Sequence, residues 1–179
     1  MNVMLRPWTR SDARALVTAA ASSPDLAPQF GGVAPNTLAT AEAFIDESLR
    51  FTATAKNWAV VEDDIAVGNI GASAIEFRHE SAWMSYWIAL EARGKGYATT
   101  GLLAASDWAF CNGLYRLELG HRVNNPASCR VATAAGYQRE GLEREKLRYG
   151  DNRYDVETHA RLASDPTPHT HAPALPLVV

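Results

Sequence analysis

The stretch Tyr86–Gly101, YWIALEARGKGYATTG, decides the reading of this chain. Tyr86-Trp87-Ile88 is strand-like, and a helix-like run from Ala98 to Phe110 follows soon after. Between them stand two cations and two glycines, Arg93-Gly94-Lys95-Gly96, in a chain of net charge −3. A glycine-rich loop between a strand and a helix aims backbone N–H groups outward, and the helix start adds its positive end. Gly94 and Gly96 allow a ligand to approach the backbone closely. Arg93 and Lys95 place charge at the same point, and a guanidinium can grip phosphate with two bonds. The segment therefore reads as a diphosphate cradle.

Three phosphate-binding patterns compete for it. A P-loop needs G-x-x-x-x-G-K-[ST], whereas Lys95 here precedes Gly96. A dinucleotide fingerprint needs G-x-G-x-x-G, and Thr99 stands where the third glycine belongs. Glu118 does lie about 20 residues on, where a ribose-binding acid would sit, so a nicotinamide-binding domain stays open. The third pattern, R-x-x-G-x-[GA], is met by Arg93, Gly96 and Ala98.

Working outward, the rest of the chain supplies a mixed α/β order. VMLRPW is a first strand, followed by a helix with Thr9 as N-cap and Asp12 three residues on. Asp25 to Pro35 holds Pro28, Gly31, Gly32 and Pro35 and reads as a loop. Thr40 to about Phe51 is a second helix, with Ala41, Phe44, Ile45 and Leu49 on one side. NWAVVE, IAVGNIGASAIEF and AWMSYWI are strands, with Asp63-Asp64 as a tight turn and Gly68 and Gly71 as bulge positions. YRLELGHRV is another strand. In it, alternation sets Arg116, Glu118, Gly120 and Arg122 on one face and Leu117, Leu119, His121 and Val123 on the other. A helix then carries Asn125 as N-cap, Pro126 at its first position and Gly136 just past its end. Two strands around Gly150-Asp151-Asn152 close the domain, expected to span 1–163. The four prolines from Ser164 to Val179 mark a disordered or surface-draped tail.

Bulk properties exclude several classes. At 179 residues, 47 % hydrophobic and 21 % charged, the chain has the balance of one globular domain. Its charge gives no pull toward nucleic acid or an anionic membrane, and no apolar run approaches the roughly 20 residues of a membrane helix. The N-terminus lacks a signal-peptide core, so a cytoplasmic protein is expected. Cys111 and Cys129, isolated in helix-like segments, read as two buried thiols, with a disulfide as the alternative. No Cys/His spacing suggests zinc, and His169 and His171 alone do not make a metal site.

The order strand-RGKG-helix-strand-NPAS-helix-GY-x-x-EG-hairpin resembles the GNAT superfamily of acyl-CoA-dependent N-acyltransferases. Within it the chain is similar to the RimJ/RimL-like ribosomal-protein alanine N-acetyltransferases. The likeness runs from about Met4 to Leu162 and is strongest from Tyr86 on. It implies a mostly antiparallel twisted sheet of six to seven strands with about four helices, and a V-shaped splay between two central strands. It implies acetyl-CoA as co-substrate, with no metal, and a primary amine as acceptor, on a protein N-terminus or a small molecule. Relatives often dimerise, although no interface is evident in the sequence.

By that resemblance, Arg93, Gly94, Lys95, Gly96, Tyr97 and Ala98 hold the coenzyme diphosphate. Trp87, Ile88 and Leu90 line the pantetheine arm, on a strand carrying a bulge, and the Ile88 N–H faces the thioester carbonyl. Asn125 bonds the pantetheine amide or serves only as the helix N-cap. Ser128 stands where a hydroxyl can protonate the departing thiolate. Many relatives use a Tyr seven residues after the Asn, where this chain has Ala132, and a Glu three residues before the Tyr of the YW strand, where it has Trp83. That substitution suggests an aromatic-walled acceptor site, to which Phe30 and its neighbouring glycines also belong by resemblance. The remaining bases are Glu118, Glu143, Glu145, His121 and Asp155, of which Glu118 has Arg116 or Arg122 as an alternative partner. The missing Glu and Tyr also leave open a non-catalytic acyl-CoA-binding protein on the same fold.

Overall fold

The computed structural model describes residues 2–31, 34–168 and 172–179. Gly32, His169 and His171 lie outside them. Seven strands form one sheet: β1 (Val3–Pro7), β2 (Lys56–Glu62), β3 (Ile65–Glu76), β4 (Ser81–Ile88), β5 (Arg116–Arg122), β6 (Gln138–Tyr149) and β7 (Asn152–Leu162). Their order is β1-β2-β3-β4-β5-β7-β6, and every pairing is antiparallel except β4 with β5. The α-helices among the described residues are α1 (Ala13–Ser22), α2 (Leu38–Ser48), α3 (Tyr97–Cys111) and α4 (Pro126–Ala134).

Side-chain alternation in the central strands divides the core into two layers. In β2, Trp58 and Val60 pack with Leu102 and Leu103 of α3, while Ala59 and Val61 pack with Leu16 of α1 and Ile45 of α2. The near-continuous apolar run NWAVV is what a strand covered on both faces requires. α3 sits so close to β3 that a Cβ on Gly101 would meet Ile70 Cγ1 at 2.9 Å. Gly136 takes φ +85° just past α4, and Tyr137 behind it is buried, its hydroxyl 2.7 Å from Ser106 Oγ.

Several expectations change. The first helical segment opens as a 3-10 turn over Arg10–Asp12 before α1, with the Thr9 N–H bonded to Asp12 Oδ2 at 2.9 Å. Pro24–Phe30 winds into a 3-10 helix rather than an irregular loop. α2 starts two residues before Thr40, because Thr37 is its cap, and it stops at Ser48. Cys111 is exposed at the end of α3; Cys129 is partly buried. The Pro-rich end is draped rather than disordered where it is described. Leu5 donates to Pro176 O at 2.7 Å and accepts from the Val178 N–H at 2.9 Å, so the tail covers the open edge of β1. No helix of the described chain is long and apolar enough to cross a membrane.

The β1–α1 corner is held by charge. Asp12, 5 % exposed, receives both Arg6 guanidinium nitrogens at 2.7 and 2.8 Å. Burial pushes the Asp12 carboxyl up, but the bonds from Arg6 and the Thr9 N–H outweigh it and leave it below its ordinary value. A depressed carboxylate stabilises above its unfolded pKa and stops doing so as pH falls through the folded one. Asp12→Ala is therefore expected to cost about 3 kcal/mol at neutral pH, since it strands a partly buried guanidinium. Urea midpoints at pH 7 and pH 3 check this: the gap between wild type and variant should shrink markedly at the lower pH.

Candidate active site

β4 and β5 pair only over Ser81–Arg116, Ala82–Leu117 and Trp83–Glu118. Beyond Trp83 the strands part. β4 stays on β3 through Ile88, and β5 stays on β7 through Arg122. A cleft of about 660 Å³ opens between them, within the range of small-molecule sites. The Ala89 N–H bonds Val67 O at 2.8 Å, which fixes the alternation of the β3–β4 ladder. Odd-numbered residues of β4 address β3, so the N–H groups of Tyr86 and Ile88 turn into the gap. The splay does not come from a bulge in β4. Its register with β3 is unbroken from Trp83 to Ile88, and the irregularity lies in β3 between Ser73 and Glu76, where Ala74 takes φ +49°.

The glycine loop forms one end of the cleft. Gly94 and Gly96 have φ of +78° and +83°, in the left-handed region that favours glycine. A Cβ on either would meet nothing within 4 Å, so both backbones face open space. Gly96 caps α3, whose first-turn amides have no partner within the helix. Open backbone, a helix N-terminus and the adjoining gap fit a diphosphate with a long arm.

The two cations are engaged otherwise than expected. Arg93 donates through Nε to Ile88 O at 2.9 Å and pairs with Asp25 at 2.9 Å. Lys95 binds both oxygens of Glu62, at 2.8 and 2.9 Å, and lies outside the cleft. Glu62 also accepts from the Tyr97 hydroxyl, and that bond is the main reason the phenol is pushed up to about 12. Both ion pairs brace the loop against neighbouring elements.

Of the residues expected to bind coenzyme, Trp87, Ile88, Arg93, Gly94, Gly96, Tyr97, Ala98, Asn125 and Ser128 line the cleft. Leu90 does not: it is 53 % exposed and its N–H is bonded to Ser23 Oγ at 2.9 Å. The Trp87 indole itself is core, 6.0 Å from the Trp8 ring and 5.8 Å from Phe30. Phe30 is likewise core rather than pocket wall; Pro28 and Gln29 beside it face the cleft. Asn125 Oδ1 caps α4 by accepting the Ser128 N–H at 3.2 Å.

Glu118 is a correction. It sits where β4 and β5 are still paired, short of the splay, and its Oε1 takes Arg116 Nε at 2.7 Å. Glu143 pairs with Lys146, and Asp155 accepts the Glu145 N–H, all outside the cleft. Among the five bases weighed, His121 lines it.

Sequence reasoning missed several groups. The Tyr86 hydroxyl donates to Ser128 O at 2.9 Å, tying β4 to the first turn of α4, and burial pushes that phenol up to about 12. Trp83 lies over Gly120, where a Cβ would meet its Cζ2 at 3.2 Å. The Arg122 guanidinium stands 5.4 Å from the Tyr149 ring and 5.3 Å from that of Tyr154. At this far end Trp83 and Tyr149 line the cleft, and the tyrosines carried no signal beyond hairpin alternation.

Residues 2–138 match the family model described as an acetyltransferase (GNAT) domain. The chain is 29 % identical over 109 residues to the ribosomal-protein-serine acetyltransferase of Escherichia coli (strain K12). That match covers 60 % of this chain and 61 % of the relative, less than two thirds of the relative's length. Among solved structures, the microcin C7 self-immunity acetyltransferase MccE, in complex with acetyl-CoA and AMP, superposes with a TM-score of 0.81 at 16 % identity. It covers 90 % of this chain and 92 % of its own. RimL, a ribosomal L7/L12 alpha-N-protein acetyltransferase in complex with coenzyme A, gives 0.79 at 21 %, over 90 % of this chain and 94 % of its own. At these identities the structural likenesses speak for the fold.

Proposed function

The chain belongs to the GNAT acetyltransferase family, and from that premise we propose that it transfers an acetyl group from acetyl-CoA to the α-amine of a polypeptide. The observation that carries the reading is the splay: main-chain N–H groups of Tyr86 and Ile88 facing a gap that ends on the open glycine loop at the start of α3. Acetyl-CoA, when bound, supplies an activated thioester. The chain supplies the rest. The loop amides hold the diphosphate. The Ile88 N–H is placed to stabilise charge on the thioester oxygen. Ser128 is placed to donate a proton to the sulfur as it leaves. An attacking amine must be neutral, and an α-amine, with an ordinary pKa near 8, needs little help to become so.

The electrostatics of the far end narrow the acceptor. Asp25 is the carboxylate among the described lining residues, and it is already paired with Arg93. Arg122 and Arg130 also line the cleft. Such a wall repels a polycationic amine and suits a neutral or acidic peptide start, entering between Pro24–Phe30 and the β6–β7 hairpin.

A thermal-shift series with acetyl-CoA, coenzyme A and NADH tests the coenzyme. At about 100 times its dissociation constant a ligand adds about 2.7 kcal/mol, which for a domain this size raises Tm by about 5–11 °C. The rise is expected with both coenzyme A species and not with NADH. Transfer to serine- and alanine-initiated peptides, and not to spermidine, is expected next. A shift with NADH alone ends the proposal. Coenzyme binding without turnover on any amine leaves instead a non-catalytic acyl-CoA-binding protein.

A further inference from the structure

At the edge of the cleft, which His121 lines, four side chains converge on the face of β5 and β7 that packs under α4: His121, Cys129, Glu157 and His159. Their ligand atoms all lie within 4.8 Å of one another. His121 is opposite Glu157 in the β5–β7 pairing, and Glu157 and His159 are two apart on one strand, so all three share a face. Cys129 comes down from the first turn of α4. Both histidines are buried, at 8 % and 2 % exposure.

The hydrogen-bond inventory of this cluster does not close. His121 Nδ1 is 3.1 Å from Arg122 O, and His159 Nδ1 is 3.3 Å from Tyr137 O. A carbonyl oxygen only accepts, so each Nδ1 carries the ring proton. In the neutral rings each Nε2 is then a bare lone pair. Those lone pairs face each other at 3.1 Å, and His159 Nε2 is 3.0 Å from Glu157 Oε1, which also only accepts. The Cys129 thiol, 3.6 Å from the same oxygen, is the donor the set contains. Three acceptors thus meet around a point that calls for a cation.

We propose that His121 Nε2, His159 Nε2, Glu157 Oε1 and Cys129 Sγ form a tetrahedral zinc site. Zinc–nitrogen and zinc–sulfur bonds of about 2.0–2.1 and 2.3 Å imply tetrahedral edges of about 3.3 Å between N or O ligands and about 3.6 Å to sulfur. Four of the six edges are 3.1 Å between the imidazoles, 3.0 and 3.7 Å from them to the carboxylate, and 3.6 Å from sulfur to the carboxylate; the two from sulfur to the imidazoles are within 4.8 Å and close on the ion as it binds. A set of two imidazoles, one thiolate and one carboxylate suits zinc over magnesium or calcium, which take oxygen ligands. The outer contacts are those of a metal site. Each imidazole donates its other N–H to a backbone carbonyl, and Arg139 Nε holds Glu157 Oε2 at 2.6 Å, leaving Oε1 to the ion. Binding releases the thiol proton to solvent. Four protein ligands leave no open position, so the site is structural. Its effect is to fasten the first turn of α4, with Asn125 and Ser128, to the two strands beside the splay.

No zinc spacing is legible in the sequence because the ligands lie on three elements, 38 residues apart from His121 to His159. The test uses the full chain, purified without chelator, freed of any affinity tag and dialysed against metal-free buffer. One zinc per chain by elemental mass spectrometry is expected. Zinc at about 1,000 times its dissociation constant should raise the Tm of the stripped protein by about 8–16 °C. Cys129→Ser and His159→Ala should each weaken zinc binding at least tenfold, while Cys111→Ser, at the exposed thiol, should not. Cobalt bound to the wild-type protein should show sulfur-to-cobalt charge-transfer absorption, a readout that requires no variant to fold. Absence of stoichiometric zinc, binding untouched by both variants, or bound cobalt without the sulfur band would each overturn the site, and a shared extra proton would then account for the cluster. None of these readouts depends on acetyl transfer.

Discussion

Gly96→Trp is expected to raise the dissociation constant for acetyl-CoA at least about 100-fold in a protein that still folds. The argument separates strain from occlusion. Gly96 holds φ +83°, which costs an L residue about 1–2 kcal/mol. Its Cβ would meet nothing within 4 Å, so a side chain there starts into open space. It enters the open space over the amides that start α3, where a diphosphate would lie. Gly113 supplies the control. It has φ +88°, equally open surroundings, and a position past the far end of α3, away from the cleft. Gly113→Trp suffers the same backbone strain and should bind acetyl-CoA as the wild type does. Titration calorimetry on the two variants decides the matter. Normal affinity in Gly96→Trp would remove the diphosphate from this loop.

How much of this was legible beforehand depends on the range of each cause. Short-range causes read well. Asn125, Pro126 and Gly136 punctuated α4 correctly because a cap, a fixed φ and a left-handed residue are local matters. The Asp63-Asp64 turn, both residues at positive φ, and the alternation of β5 are equally local. Long-range partners did not read. Arg93 pairs with Asp25 and Lys95 with Glu62 across 68 and 33 residues, and no spacing rule marks either carboxylate. Glu118 remained a candidate base because Trp83 stands where relatives carry a Glu. What removes it is where the β4–β5 pairing ends, a property of two strands together. The tail was legible only as far as the choice between disordered and surface-draped. Its prolines suit disorder, but the unpaired edge of β1 offers Leu5 N–H and C=O groups that residues 176 and 178 satisfy. The splay was expected from resemblance to a family, and composition or periodicity would not have supplied it.

Ser128→Ala should lower kcat about 100-fold and leave the acetyl-CoA dissociation constant unchanged. The backbone of Ser128 is fixed from both sides: its N–H is bonded to Asn125 Oδ1 and its carbonyl accepts the Tyr86 hydroxyl. Its Oγ has no hydrogen-bond partner among the described residues, although it lines the cleft. A hydroxyl on a fixed backbone, with no protein partner among the described residues, can bond a substrate atom. Removing it should leave the unfolding free energy within about 0.5 kcal/mol of the wild type, because no folded-state bond is lost. General acid catalysis contributes about 10²–10⁴-fold, which sets the expected loss. A second comparison separates proton donation from mere positioning. Acetyl thioesters of more acidic thiols leave without needing a proton, so the deficit of Ser128→Ala should shrink as the thiol becomes more acidic. A deficit independent of the leaving thiol would assign Ser128 to orienting the thioester. No deficit at all would leave the first turn of α4 with only its structural duties.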